Sequence, residues 1–291
     1  MLNGNSGRPF AATGPWNTPI PANPALDPKS ATMIDGITPS GAGITANLYA
    51  YGNPVYNSTA SDPLVTVNCL ENWGTCDLEQ QQIRIATTAN PANGSDGALV
   101  IVDFSTGTVY DFWQARKISD TQWETSWGTR TPLSDDNGAR AGGSGATGAG
   151  FNVLAGTVRT FEIAQGSIPH ALTFSSSNSC TSVYRYPATK TDGNKSTANC
   201  LPEGARIQLD PSINVRAIAG ITKGEIAVAE ALQKYGAYNR DNGQAPIAMA
   251  FEAPSGEADP YPAAGLARDY WNMPHIPVDS LRVINASVTQ P

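Results

Sequence analysis

Only one stretch of this 291-residue chain, Thr222 to Gly236, sustains a helical pattern, and that scarcity limits the folds open to it more than any single motif. Thr222 stands three residues before Glu225, the spacing of a capping box. Val228, Ala231, Leu232 and Tyr235 form an apolar stripe that stops at Gly236. Elsewhere short alternating runs are cut by turn residues, with glycine and proline supplying 28 and 22 positions. A βαβ fold needs a helical pattern between successive strands, and none recurs here. The sequence therefore predicts a mainly β chain. Residues 1–25 read as an extended arm, and 26–291 as a single β-sandwich or jelly-roll domain with the Thr222–Tyr235 helix packed on its outside. Prolines 15, 19, 21 and 24 forbid regular structure in the arm, which makes Trp16 and Ile20 its expected anchors on the body.

Several runs combine an aromatic with an acid. The run from Ala98 is apolar on both faces until Asp103, as expected of a strand covered by another layer, and Ser105-Thr106-Gly107 supplies a turn. On the returning strand Val109, Asp111 and Trp113 share a face, which sets a carboxylate beside an indole. After Arg116, Trp123 and Trp127 alternate with Glu124 in W-E-T-S-W, which reads as one further strand. Trp73 lies in the loop between Cys69 and Cys76, where a clamped indole could stack on a sugar ring. The stretch from Val158 to Leu209 adds three strand-like runs, beginning with V-R-T-F-E-I. In the second, Ile168, His170, Leu172 and Phe174 fall on one face, so an imidazole sits among apolar side chains and needs hydrogen-bond partners. The loop from Cys180 to Cys200 brings Tyr184, Tyr186, Lys190 and Asp192 towards the same region. The glycine-rich segment 138–150 has neither the Walker nor the dinucleotide spacing and reads as a cleft wall. Farther on, residues 238–243 read as a turn, Ile247 to Phe251 as a return strand, 264–271 as a short second helix and 281–284 as a closing strand. His275, between two prolines, reads as a local loop contact.

Charge and cysteine usage narrow the function classes. Lys and Arg number 18 against 25 Asp and Glu, a formal charge of -7, which argues against a nucleic-acid partner. Four cysteines suit an oxidising compartment; sequential pairing makes two local staples, with two other connectivities open. No run of 18 apolar residues suggests a membrane partner, so a secreted monomer is expected, its targeting segment lying ahead of Met1. Two distant histidines give no transition-metal cluster or zinc motif, and no cofactor is expected; carboxylates and loop carbonyls could still hold a structural calcium without an obvious signature.

The motifs W-N-T-P-I-P, D-G-A-L-V-I-V-D, F-W-Q-A-R, W-E-T-S-W-G, I-P-H-A-L, Y-P-A-T-K-T-D-G, L-P-E-G-A-R-I-Q-L-D-P and A-L-Q-K-Y-G-A-Y-N-R-D-N-G together resemble a group of secreted proteins from soil bacteria of largely unassigned activity. The resemblance runs over most of the chain. It implies an extracellular β-rich body and draws attention to His170 and Asp192. Aromatics beside carboxylates suggest a polysaccharide or oligosaccharide partner, with Trp113, Trp123, Glu124, Trp127, Arg116, Tyr184, Tyr186 and Lys190 as contacts. The leading expectation is a glycoside hydrolase with Asp111 and Asp192 as the carboxylate pair and His170 orienting or relaying a proton. A uronate lyase is the alternative, with His170 or Tyr186 as base and Arg116 or Lys190 neutralising the developing charge. A noncatalytic carbohydrate-binding protein is the third.

Overall fold

The computed structural model describes residues 8–39, 42–135, 145–256 and 259–289. In chain order its elements are α1 (Ser30–Ile37), β1 (Ile44–Asn47), β2 (Val55–Ser58), β3 (Leu64–Cys69), β4 (Gln82–Arg84), β5 (Leu99–Asp103), β6 (Thr108–Trp113), β7 (Arg116–Lys117), β8 (Gln122–Thr125) and β9 (Trp127–Pro132). There follow α2 (Thr160–Gln165), β10 (Leu172–Ser176), β11 (Ser179–Tyr184), β12 (Leu201–Glu203), β13 (Arg206–Leu209), α3 (Lys223–Lys234), β14 (Ala237–Asn242), β15 (Ala248–Ala250), β16 (Trp271–Met273), β17 (Leu281–Val283) and α4 (Ala286–Thr289).

The strands form four separate sheets: a seven-stranded one in the order β16-β1-β15-β10-β14-β13-β17, two four-stranded ones, β2-β5-β6-β9 and β4-β3-β8-β7, and the pair β11-β12. The expected β-sandwich or jelly roll is therefore wrong; this is a mixed α/β fold in which, among the described residues, no sheet closes into a barrel or sandwich. Strand pairing makes the difference concrete. A jelly roll is built from antiparallel Greek keys, whereas β1 with β15, β10 with β14, β2 with β5, β3 with β8 and β11 with β12 are all parallel. Parallel neighbours need crossover connections, which periodicity within single strands cannot reveal.

Local chemistry explains the other departures. Residues 158–163 alternate like a strand, yet α2 forms because the Glu162 carboxylate accepts the Arg159 backbone N–H at 2.9 Å and Gly166, at φ 72°, ends the helix. Polar residues made 238–243 look like a turn, but Ala237–Asn242 is β14, beside β10 in the large sheet. Its Asn239 is buried without penalty, since Nδ2 donates to Ser179 Oγ at 3.0 Å and to the Leu201 carbonyl at 3.2 Å. The Trp123–Trp127 run splits at Ser126 into strands of two different sheets. In place of the short second helix, a 3₁₀ turn, Pro262–Ala264, is followed by β16.

The α3 helix carries the Thr222–Glu225 capping box in both directions. It is not simply external: Ala227, Val228, Ala231 and Leu232 are buried against the core of the large sheet with Ile34, Leu172, Ile207 and Met249. The two four-stranded sheets share a second core of Val65, Val67, Ile83, Leu99, Ile101, Phe112 and Trp123. On the opposite face of β5, Val100 and Val102 pack with Leu154, so this strand is apolar on both sides because both are covered. The arm residue Trp16 is fully buried, edge-on to Phe151 at 5.0 Å and Tyr238 at 5.1 Å.

Candidate functional site

The disulfide between Cys69 and Cys76 closes a short loop on the edge where β8 passes into β9. Leu70 N–H donates to the Thr125 carbonyl at 2.9 Å and Glu71 N–H to the Ser126 carbonyl at 3.3 Å, so the loop is held at its start. Trp73 projects from it, 62% exposed, with its ring centroid 5.7 Å from Trp113 and 5.8 Å from Trp127 at interplanar angles of 34° and 37°. Trp113 and Trp127 are directly opposed on β6 and β9 and rest on the second core. One indole thus lies over two others, with its outer surface in solvent. Beyond Trp113, Gln114 Oε1 accepts the Ser126 hydroxyl at 2.6 Å, and Arg116 pairs with Glu124 at 3.1 Å. Of the expected sugar contacts, Trp113, Trp127, Arg116 and Glu124 therefore belong to neighbouring strands of this edge. Trp123 does not join them; it is enclosed between the two sheets.

A second group gathers around Asp192. The Cys180–Cys200 disulfide closes the loop that carries it, along with Tyr186 and Lys190, while Tyr184 ends β11 with its ring exposed. Asp192 Oδ1 accepts the Asn242 N–H at 3.0 Å, and the charge of Asp192 acts on both the Glu203 and the Asp241 carboxyls. Burial, then the neighbouring Asp192 carboxyl and the charge of Asp241, push Glu203 up to about 10; the Thr191 hydroxyl acts the other way. Burial and Asp192 likewise raise Asp241 to about 7, against the Arg240 charge and the Gly148 N–H. Gly148 is required by close approach, since a Cβ would meet Asp192 Oδ1 at 2.3 Å and Asp241 Oδ1 at 2.9 Å. The expected cleft wall lies partly outside the described residues, at 138–144; its remainder, 145–150, packs on these carboxyls.

Asp111 lies beyond the same segment, fully buried. It accepts N–H groups from Val153 at 2.9 Å, Thr129 at 3.1 Å and Ala146, while burial pushes it up to about 7. Arg240 feels both Asp241 and Asp111, yet Asp111 is spent on fixing backbone and faces no groove. His170 is enclosed too, at 1% exposure. Its Nδ1 lies 2.9 Å from the Ala171 carbonyl, and its Nε2 is 3.0 and 3.1 Å from the two Glu162 oxygens. Both partners can accept, an arrangement that favours the protonated ring, in which both nitrogens donate. Burial alone would lower its pKa; the Glu162 carboxylate and the Ala171 carbonyl more than offset this and raise it. His275 is occupied similarly, with Nδ1 2.9 Å from the buried Glu225 carboxylate.

The acid–base pair expected for glycan hydrolysis is thus not presented: Asp192 is near the surface, but Asp111 and His170 are enclosed and engaged. This geometry gives glycoside hydrolysis no support from Asp111, Asp192 and His170. Glu203 and Asp241 were missed by sequence reasoning, because no motif marks them before β12 and β14 are placed side by side. Among the described residues no group of three or more His, Cys, Asp or Glu is arranged to hold a metal ion, and no helix is long and apolar enough to cross a membrane. Comparison with family models, curated proteins and solved structures gives no match.

Proposed function

We propose that this protein is a secreted, noncatalytic glycan-binding protein whose sugar-facing surface is the outer face of Trp73, backed by Trp113 and Trp127. The observation that carries the reading is a large indole left 62% exposed on a disulfide-closed loop and held in a fixed orientation by two tryptophans beneath it. An aromatic face packs against the C–H groups of a pyranose, and a prepositioned ring loses little conformational freedom on binding. Gln114, Glu124 and Arg116 offer hydroxyl partners along the edge. Arg116 and Glu124 already neutralise one another, and the chain carries a net charge of -7, so a neutral polysaccharide suits this surface better than a polyuronate.

A pull-down with insoluble neutral polysaccharides, run beside a glycan array, is expected to retain the protein above an unrelated control of similar charge, without release of reducing ends. Retention no greater than the control's on every glycan would reject the reading.

A further inference from the structure

A second pair of aromatic rings is joined to the Trp73 edge by a run of contacts. Tyr51 follows β1 and Tyr270 leads into β16, antiparallel neighbours at one edge of the seven-stranded sheet. Their rings lie 6.3 Å apart at an interplanar angle of 48°, and Tyr270 is 45% exposed. One carboxylate fixes the pair. Asp269 accepts the N–H groups of Leu48 and Ala50 at 2.9 and 2.8 Å and that of Tyr270 at 3.0 Å, which ties the chain before Tyr51 to the chain at Tyr270. From there the Tyr51 hydroxyl lies 3.1 Å from Ser95 Oγ, Gln114 Nε2 approaches the Ser95 carbonyl at 3.5 Å, and the Gln114 N–H donates to the Asp96 carbonyl at 2.7 Å. Gln114 adjoins Trp113, on which Trp73 rests. Every side chain along this run, from Trp73 through Trp113, Gln114, Ser95 and Tyr51 to Tyr270, is half-buried or exposed.

Backbone and chemistry both favour a ligand here. Gln114 at φ 57° and Tyr270 at φ 52° occupy the left-handed region, which costs free energy for any residue with a Cβ. A tyrosine held there with nearly half its surface in solvent gives up stability that contact with a ligand would restore. Between the two ring sites stand a carboxamide and hydroxyls, while the charge of Asp269 is taken up by backbone N–H groups. Ring faces at either end and uncharged hydrogen-bonding groups between them suit a hydroxyl-rich, uncharged chain.

We infer that the glycan surface proposed above continues from Trp73 across Gln114 and Ser95 to the Tyr51–Tyr270 pair, so that the protein takes several consecutive units of a linear, neutral polysaccharide. This rests on the glycan reading of Trp73 and adds chain length as the property recognised. A chain that reaches both ring sites makes its second contact without a second loss of overall freedom, so it binds more tightly than a short fragment by about tenfold or more.

The test is NMR titration of the whole chain with soluble cello-, laminari-, xylo- and manno-oligosaccharides, each from disaccharide to octasaccharide. The wild type is expected to bind the octasaccharide of at least one series about tenfold or more tightly than its trisaccharide. Glycine adopts a positive φ freely, so Tyr270→Gly removes the ring without straining the backbone. This variant should bind the trisaccharide as the wild type does and lose the gain with length. A wild-type affinity that stays level from trisaccharide to octasaccharide, or a Tyr270→Gly variant that keeps the full gain, would overturn the extended site and leave the Trp73 reading in place. Absence of binding to every sugar in all four series would remove both.

Discussion

Replacing His170 with alanine is expected to lower the free energy of unfolding by about 3–5 kcal/mol at pH 6, because it removes one partner of a buried ion pair and strands the other. Glu162 is fully buried, and its carboxylate also caps α2 through the Arg159 N–H. The wild type carries a linked pH signature. His170 has a raised pKa in the folded state, so its stabilisation is complete below about 6.5 and is lost as pH rises through the folded value. Urea unfolding at pH 6 and pH 9 checks both statements: the gap between wild type and His170→Ala should be larger at pH 6. A loss below about 1 kcal/mol at pH 6 would mean that the imidazolium does not hold this junction. The double variant Glu162→Gln/His170→Ala should recover part of the loss, since no charge is then left unpaired.

Trp16→Ala should cost about 3–5 kcal/mol for a different reason, the cavity left by a large apolar side chain. Trp16 is fully buried with Phe151 and Tyr238 at its edges, and its carbonyl accepts the Ala171 N–H at 2.7 Å, next to His170. The surrounding chain cannot collapse easily, because the Ile20 N–H is tied to the Lys234 carbonyl at the end of α3. A thermal melt should show a clearly lowered midpoint for this variant, whereas an unchanged midpoint would mean that the arm is not held by this ring.

Trp16 was legible because four prolines remove regular structure around it and leave an isolated indole with little to do but anchor. The capping box of α3 and the doubly covered strand β5 were legible too, since each rests on local spacing. Pairing direction was not. The alternation around Leu172 marks a strand and its face, but the parallel partner of β10 begins 65 positions away, at Ala237. The aromatic edge was half visible. Trp113 and Trp127 stood out as candidates, yet only the return of the disulfide loop places Trp73 above them. His170 shows the opposite failure: its isolation among apolar residues suggested a poised catalyst, while Glu162, eight residues earlier, accounts for its position. Glu203 and Asp241 were hidden because β14 reads as a polar turn until its neighbours supply hydrogen bonds.

Affinity electrophoresis of wild type and Trp73→Ala through gels containing neutral polysaccharides tests whether the exposed face of Trp73 binds a glycan. Because Trp73 is largely in solvent, its replacement should leave the melting temperature within a few degrees of the wild type's. The wild type should be retarded by at least one polysaccharide, and Trp73→Ala should bind that glycan about tenfold or more weakly, the loss of roughly 1.4 kcal/mol of contact energy. No retardation of the wild type in any gel, or equal retardation of both proteins, would contradict glycan binding at that face.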